Sequence, residues 1–120
     1  MKIYIDYDPP NWNKYIEKER SNYHIANNLK QKEKQIVRLS TIGKKYTGAY
    51  PVKITFKKHF KDRRQDLDNV RVKGLLDGLV SCGVLKNDNL KHIQKIILEP
   101  VFDNKTGIDI EISEYSESEE

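Results

Sequence analysis

Apolar and polar residues alternate at the start of the chain: Ile3, Ile5 and Tyr7 are separated by Tyr4 and Asp6. A period of two predicts a first strand. Asp8-Pro9-Pro10-Asn11 ends it, because proline cannot donate to a ladder and restricts the residue before it. Trp12 and Tyr15 follow among polar residues in what reads as a loop. They could stack on bases or pack under a helix, and packing is the commoner fate of a tryptophan. From residue 22 to residue 39 the spacing lengthens. Asn22, Ala26, Leu29, Ile36 and Val37 roughly mark one face of a helix, with Ile25 beside it. So narrow an apolar stripe puts that helix on the surface. Its charged middle, residues 30–35, reads as solvated, and Lys30, Lys32 and Lys34 point in different directions rather than forming one phosphate-binding row.

Residues 40–51 carry two glycines and a proline and form a loop. Val52, Ile54 and Phe56 alternate with Lys53, Thr55 and Lys57, the clearest strand in the chain. Farther on the period changes again. Val72, Leu75, Leu76, Leu79 and Val80 make the stripe of a core-facing helix. We place that helix at residues 69–82, with Asp68 or Asn69 as its cap and Gly83 as its end. After a polar turn at residues 86–89, two more strands are expected, one near residues 92–102 and one at 108–112. Asp103-Asn104-Lys105-Thr106-Gly107 reads as a hairpin turn between them. The order strand, helix, strand, helix, strand, strand predicts a single α+β domain, a mixed β-sheet with helices packed on it. The domain should cover residues 1–112, with an acidic, disordered tail at 113–120.

Composition sharpens this picture. With 120 residues, 37% of them apolar and 33% charged, the chain has a lean core inside a charged surface. Its 22 bases exceed its 18 acids, for a net charge of +4. Four glutamates lie in the last eight residues, so the body holds 22 bases against 14 acids, or +8. A basic body suits an anionic partner such as nucleic acid. The lone cysteine, Cys82, cannot form an internal disulfide and lies in an apolar segment, so a reducing compartment and a buried or half-buried thiol are expected. No stretch approaches the length of a membrane helix, and a soluble, cytoplasmic protein is expected.

Candidate chemistry centres on Arg63-Arg64-Gln65-Asp66-Leu67-Asp68-Asn69. In extended backbone, residues i and i+2 face the same way, so Asp66 and Asp68 can present two carboxylates to one point. Asp88 lies beyond the helix. A 69–82 helix would be about 20 Å long, and an extended chain back to Asp88 spans about as much. Asp88 could thus complete the set within one chain or come from a second subunit. Three carboxylates make an oxygen-only shell suited to Mg²⁺ or Mn²⁺. His24, His59, His92 and Cys82 are too scattered in sequence for a zinc site. Lys61, Arg63 and Arg64 precede the acids, and Lys73 follows them by about one helical turn, within reach of a phosphate. The plainer alternative is a helix cap with a solvated acid, and an i,i+4 surface pair of Lys73 with Asp77.

Several of these elements together resemble one family. Asp66-Leu67-Asp68-Asn69, the Lys73-x-x-x-Asp77-x-Leu79 arrangement, Gly83-Val84-Leu85, Asp88 and the early Pro9-Pro10-Asn11-Trp12-Asn13 are similar to the RusA family of Holliday junction resolvases. The resemblance runs to about Ile112. It implies a Mg²⁺-dependent endonuclease, bacterial or phage-encoded, acting as a homodimer on four-way DNA junctions with paired symmetric cuts, in recombination and repair. It matches the family's metal-binding aspartates to Asp66, Asp68 and Asp88, and its catalytic or DNA-contacting lysine to Lys73. Where the family commonly has two adjacent aspartates after the helix, the first is Asn87 here. The competing functions are a less selective metal-dependent nuclease for branched DNA, and a non-catalytic DNA-binding protein whose aspartates are structural.

Overall fold

The computed structural model describes residues 1–116. In order, the elements are β1 (Lys2–Ile5), α1 (Trp12–Ser21), α2 (Tyr23–Ser40), β2 (Val52–Phe60), a short 3-10 turn (Leu67–Asn69), α3 (Lys73–Ser81), β3 (Ile93–Phe102) and β4 (Ile108–Glu114). The four strands form one mixed sheet in the order β1-β4-β2-β3, with β2 and β3 parallel and the other pairs antiparallel. This is the expected α+β arrangement.

Alternation sorts the sheet into two faces. Ile3 and Ile5, then Val52, Ile54 and Phe56, then Ile108, Ile110 and Ile112 are all buried. They share a core with Val37 of α2 and with Leu75 and Leu79 of α3. Lys2, Lys57 and Glu111 lie on the opposite face and pair there at 3.0–3.8 Å. The helices therefore cover one side of the sheet and water covers the other. β3 is an edge strand, and its register with β2 puts Ile96 beside Ile54 and Phe102 beside Phe60 on the helix side. Both stay partly open there: Ile96 is 51% exposed and Phe102 44%.

Four sequence expectations need correction. First, the stretch holding Trp12 and Tyr15 is a helix. Asn11 caps α1 by accepting from the Lys14 N–H at 2.9 Å, and Asn22 caps α2 by accepting from the His24 N–H at 2.9 Å. Second, neither Asp68 nor Asn69 caps α3, which starts at Lys73 behind Val72 with no side-chain cap. Gly83 does end it, at a φ of +85° that suits glycine. Third, residues 103–107 are not a hairpin turn, because β3 and β4 flank β2 on opposite sides. The connection crosses the end of β2, where Phe60 O accepts from the Asp103 N–H and Gly107 O from the His59 N–H. His59 fastens it, with Nδ1 3.0 Å from the Asp103 carboxylate and Nε2 2.6 Å from Asp109. Fourth, the tail does not begin at Ser113. Ser113 and Glu114 extend β4 along Lys53 and Val52, while residues 117–120 lie outside the described residues.

α2 and α3 pack closely at Gly78. A Cβ built there would lie 2.8 Å from Cβ and Cγ2 of Val37, which is wholly buried. Alanine would normally improve a helix by ~1 kcal/mol over glycine. Here Gly78→Ala should instead lower stability by about 1–3 kcal/mol through overpacking. Urea unfolding reads the sign, and an unchanged or raised midpoint would show that the helices can part without cost.

Candidate metal and nucleic-acid site

β2 delivers the chain to the candidate site. Phe60, its last residue, packs on Phe102 with ring centroids 6.3 Å apart. Beyond it, Asp62 accepts from the Arg64 backbone N–H at 3.0 Å and from its Nη2 at 2.6 Å. These bonds hold the Asp62 carboxyl below its ordinary range. Arg63 lies over the Phe102 ring at 4.2 Å. Both arginines are thus positioned by neighbours while remaining at the surface, and Lys61 is exposed beside them.

The acids follow directly. Asp66 is extended (φ −90°, ψ 129°), and its carbonyl accepts from the Asn69 N–H at 3.2 Å, closing the 3-10 turn. Asp68 sits inside that turn. The alternation expected for an extended pair therefore does not apply to Asp66 and Asp68, because the chain curls between them. Asp88 lies in the polar turn after α3. There Asn87 Oδ1 accepts from the backbone N–H groups of Asp88 and Asn89 at 2.7 and 3.2 Å. That oxygen is committed to the turn, which argues against Asn87 as a ligand. All three aspartates are exposed.

In chemistry these donors fit a hard cation, since they are oxygens alone and open to solvent. In position they do not meet within one chain. Among the described residues, no group of three or more His, Cys, Asp or Glu side chains stands where it could hold one ion. The structure brings Asp66 and Asp68 to one short turn and leaves Asp88 outside it.

Lys73 is the first residue of α3, and its ammonium lies 3.3 Å from Asp77 one turn on. The start of α3 is fixed by a buried network that the sequence reading missed. Glu33 of α2, read as part of a solvated run, is fully buried and pairs with Arg71, itself only 2% exposed. The Tyr7 hydroxyl donates to the other Glu33 oxygen at 3.1 Å. Burial pushes the Glu33 carboxyl above its ordinary range, with Arg71 and Tyr7 drawing it back. Burial and the neighbouring carboxylate raise the Tyr7 hydroxyl as well. Arg71 also lies 4.3 Å over the Tyr15 ring. Gly74 leaves the room for this, since a Cβ there would run into the Glu33 carboxylate and Arg71 Nη1. The usable signal in the sequence was a lone glutamate on the face marked by Ala26 and Val37.

Among the described residues, no helix is long and apolar enough to cross a membrane. No curated protein matches the chain. A family model described as endodeoxyribonuclease RusA matches residues 6–113. That span begins just after β1 and takes in the Pro9-Pro10-Asn11 loop, the aspartate turn, α3 and nearly all of β4. The chain belongs to the RusA endodeoxyribonuclease family.

Proposed function

We propose that this protein is a divalent-metal-dependent endonuclease that resolves four-way DNA junctions by paired phosphodiester cleavage, in bacterial or phage recombination and repair. The observation that carries the reading is the family match over residues 6–113. The basic loop at Lys61, Arg63 and Arg64 supports it, because it runs directly into the solvent-open carboxylates Asp66 and Asp68. Asp66, Asp68 and Asp88 would hold Mg²⁺ or Mn²⁺. Such an ion, when bound, lowers the pKa of a water and withdraws charge from a phosphodiester. Arg63 and Arg64 bind backbone phosphates and register the strand. Lys73, held at the first turn of α3, meets charge that grows on the phosphate during cleavage.

The active form proposed is a homodimer. Among the described residues the three aspartates do not gather at one point in a single chain, and the helix side of β3 leaves Ile96 and Phe102 partly open. A two-fold partner laid on that face would cover apolar surface. It would also offer a second copy of each acid.

The test is a labelled four-way junction and a linear duplex of equal length, each incubated with and without Mg²⁺. Cutting of the junction alone, and only with the ion, is expected. Cutting of both substrates would favour a less selective nuclease, and no cutting in Mg²⁺ or Mn²⁺ would favour a non-catalytic DNA-binding protein. Lys73→Ala should slow cleavage by about 10²–10³-fold, the usual effect of removing one transition-state donor, with little change in junction affinity. An equal fall in affinity would make Lys73 another phosphate contact, like Arg63 and Arg64.

A further inference from the structure

A second feature lies among the helices, its lining running through Arg71 and Lys73 just after the aspartate turn in sequence. α1, α2 and the start of α3 enclose a cleft of about 390 Å³, within the size range of small-molecule sites. Trp12 and Tyr15 supply its aromatic wall, their rings edge-to-face at 6.1 Å. Tyr15 is nearly buried and carries the Arg71 guanidinium at 4.3 Å, while Trp12 is only half-buried and stands farther from it, at 6.0 Å. Lys30 and Lys34, four residues apart on α2, line the same cleft. They share a helix face after all, though Lys32 between them does not. Lys73 also lines the cleft, and Asp77 is the one acid on the wall.

Charge in the cleft is unbalanced. Glu33 behind the wall answers Arg71, and Asp77 answers Lys73. Lys30 lies over the Tyr15 ring at 5.8 Å and feels Glu19 outside the cleft, while the one acid on the lining, Asp77, is taken by Lys73 rather than by Lys30 or Lys34. An aromatic wall beside two cations that no carboxylate of the lining pairs is the chemistry that takes a base by its face and its phosphate by charge. We propose that this cleft binds an unpaired nucleotide, with the base stacked at Trp12 and its phosphate between Lys30 and Lys34. The nuclease reading bears only on where such a nucleotide comes from, namely a strand opened near the cleavage site. The pocket itself stands on its own residues.

Trp12 is the only tryptophan in the chain, so its fluorescence reports the cleft directly. Without metal, the whole protein would be titrated with a single-stranded DNA pentamer, the same pentamer with abasic sites at its three central positions, deoxyguanosine monophosphate, and inorganic phosphate. Saturable quenching by the intact pentamer is expected, with at least tenfold weaker binding of the abasic strand. Mononucleotide binding as tight as the pentamer's would support the pocket and make the free nucleotide its ligand. Quenching equal for intact and abasic strands, or matched by phosphate alone, would reduce the cleft to a basic patch and overturn the proposal, as would no quenching at all. Lys30→Gln with Lys34→Gln, both on exposed or half-exposed positions, should weaken pentamer binding at least tenfold with an unchanged melting temperature. Unchanged affinity in that variant would also overturn it. A protein that binds the pentamer yet cuts no junction leaves this proposal standing and removes the nuclease reading. The reverse result removes only the cleft.

Discussion

Replacing Asp66, Asp68 or Asp88 by asparagine is expected to abolish junction cleavage while junction binding stays intact or tightens. Each substitution keeps the side chain's size and removes one negative charge from the proposed ion shell. Divalent ions of this kind depend on carboxylate charge. Loss of a mere supporting partner weakens a metal site by ~10–100-fold, so loss of a ligand should exceed that. Removing negative charge beside Arg63 and Arg64 cannot weaken phosphate contact and should strengthen it. Cleavage rates with saturating Mg²⁺, read together with gel-shift affinities in its absence, decide the matter. Normal cutting by all three variants would show that the ion, if there is one, sits elsewhere.

The same variants test how the site is assembled. Asp66→Asn and Asp88→Asn would be mixed as unfolded chains and refolded together. If Asp88 serves the other subunit's Asp66 and Asp68, a mixed dimer carries both lesions in one site and keeps the second site whole. It should then nick one strand of the junction although each parent is dead. If all three acids act within one chain, both sites of the mixed dimer are damaged and the mixture stays inactive. That outcome would require the 86–92 turn to swing toward the aspartate turn on binding DNA or metal.

Much of the fold was legible because periodicity carried it. The alternation at Val52, Ile54 and Phe56 and the stripe through Leu75 and Leu79 both mark residues that end up fully buried. The connections were harder. Asp103 to Gly107 has turn chemistry that suits a hairpin, yet it straddles β2. No local pattern states which strand lies between two others, since that follows from hydrogen bonds to a distant segment. α1 escaped notice because its apolar residues are few and two prolines precede it, though Asn11 stands where a cap should. The aspartates stood out as candidates by type and spacing, but the sequence did not show which way they point. A 3-10 turn replaces the extended backbone that would have aligned Asp66 with Asp68. Glu33 was misread for another reason: a charge in a charged run looks solvated until its partner, 38 residues away, is known.

Breaking that buried pair should have the largest effect on stability in the molecule. Glu33→Gln leaves Arg71 charged and buried with only a neutral amide before it, and Arg71 Nε already lacks a hydrogen-bond partner. Removing one member of a buried ion pair costs about 3–5 kcal/mol, a large share of the ~5–15 kcal/mol that holds a domain together. Arg71→Met should cost a similar amount by stranding Glu33 and Tyr7. The double variant Glu33→Leu with Arg71→Met leaves neither charge behind and should recover most of the loss. Denaturant unfolding of the three variants gives the coupling directly. Additive losses would mean that each residue acts through packing alone. Strong non-additivity would identify the pair as a clamp, holding the end of β1, α2 and the entry to α3 in one arrangement. Arg71 lies between Asp68 and Lys73 in sequence, so the same clamp sets where the lysine stands relative to the acids. For that reason the rescued double variant should fold well and still cleave junctions poorly, because its apolar replacements restore stability without restoring the geometry at the start of α3.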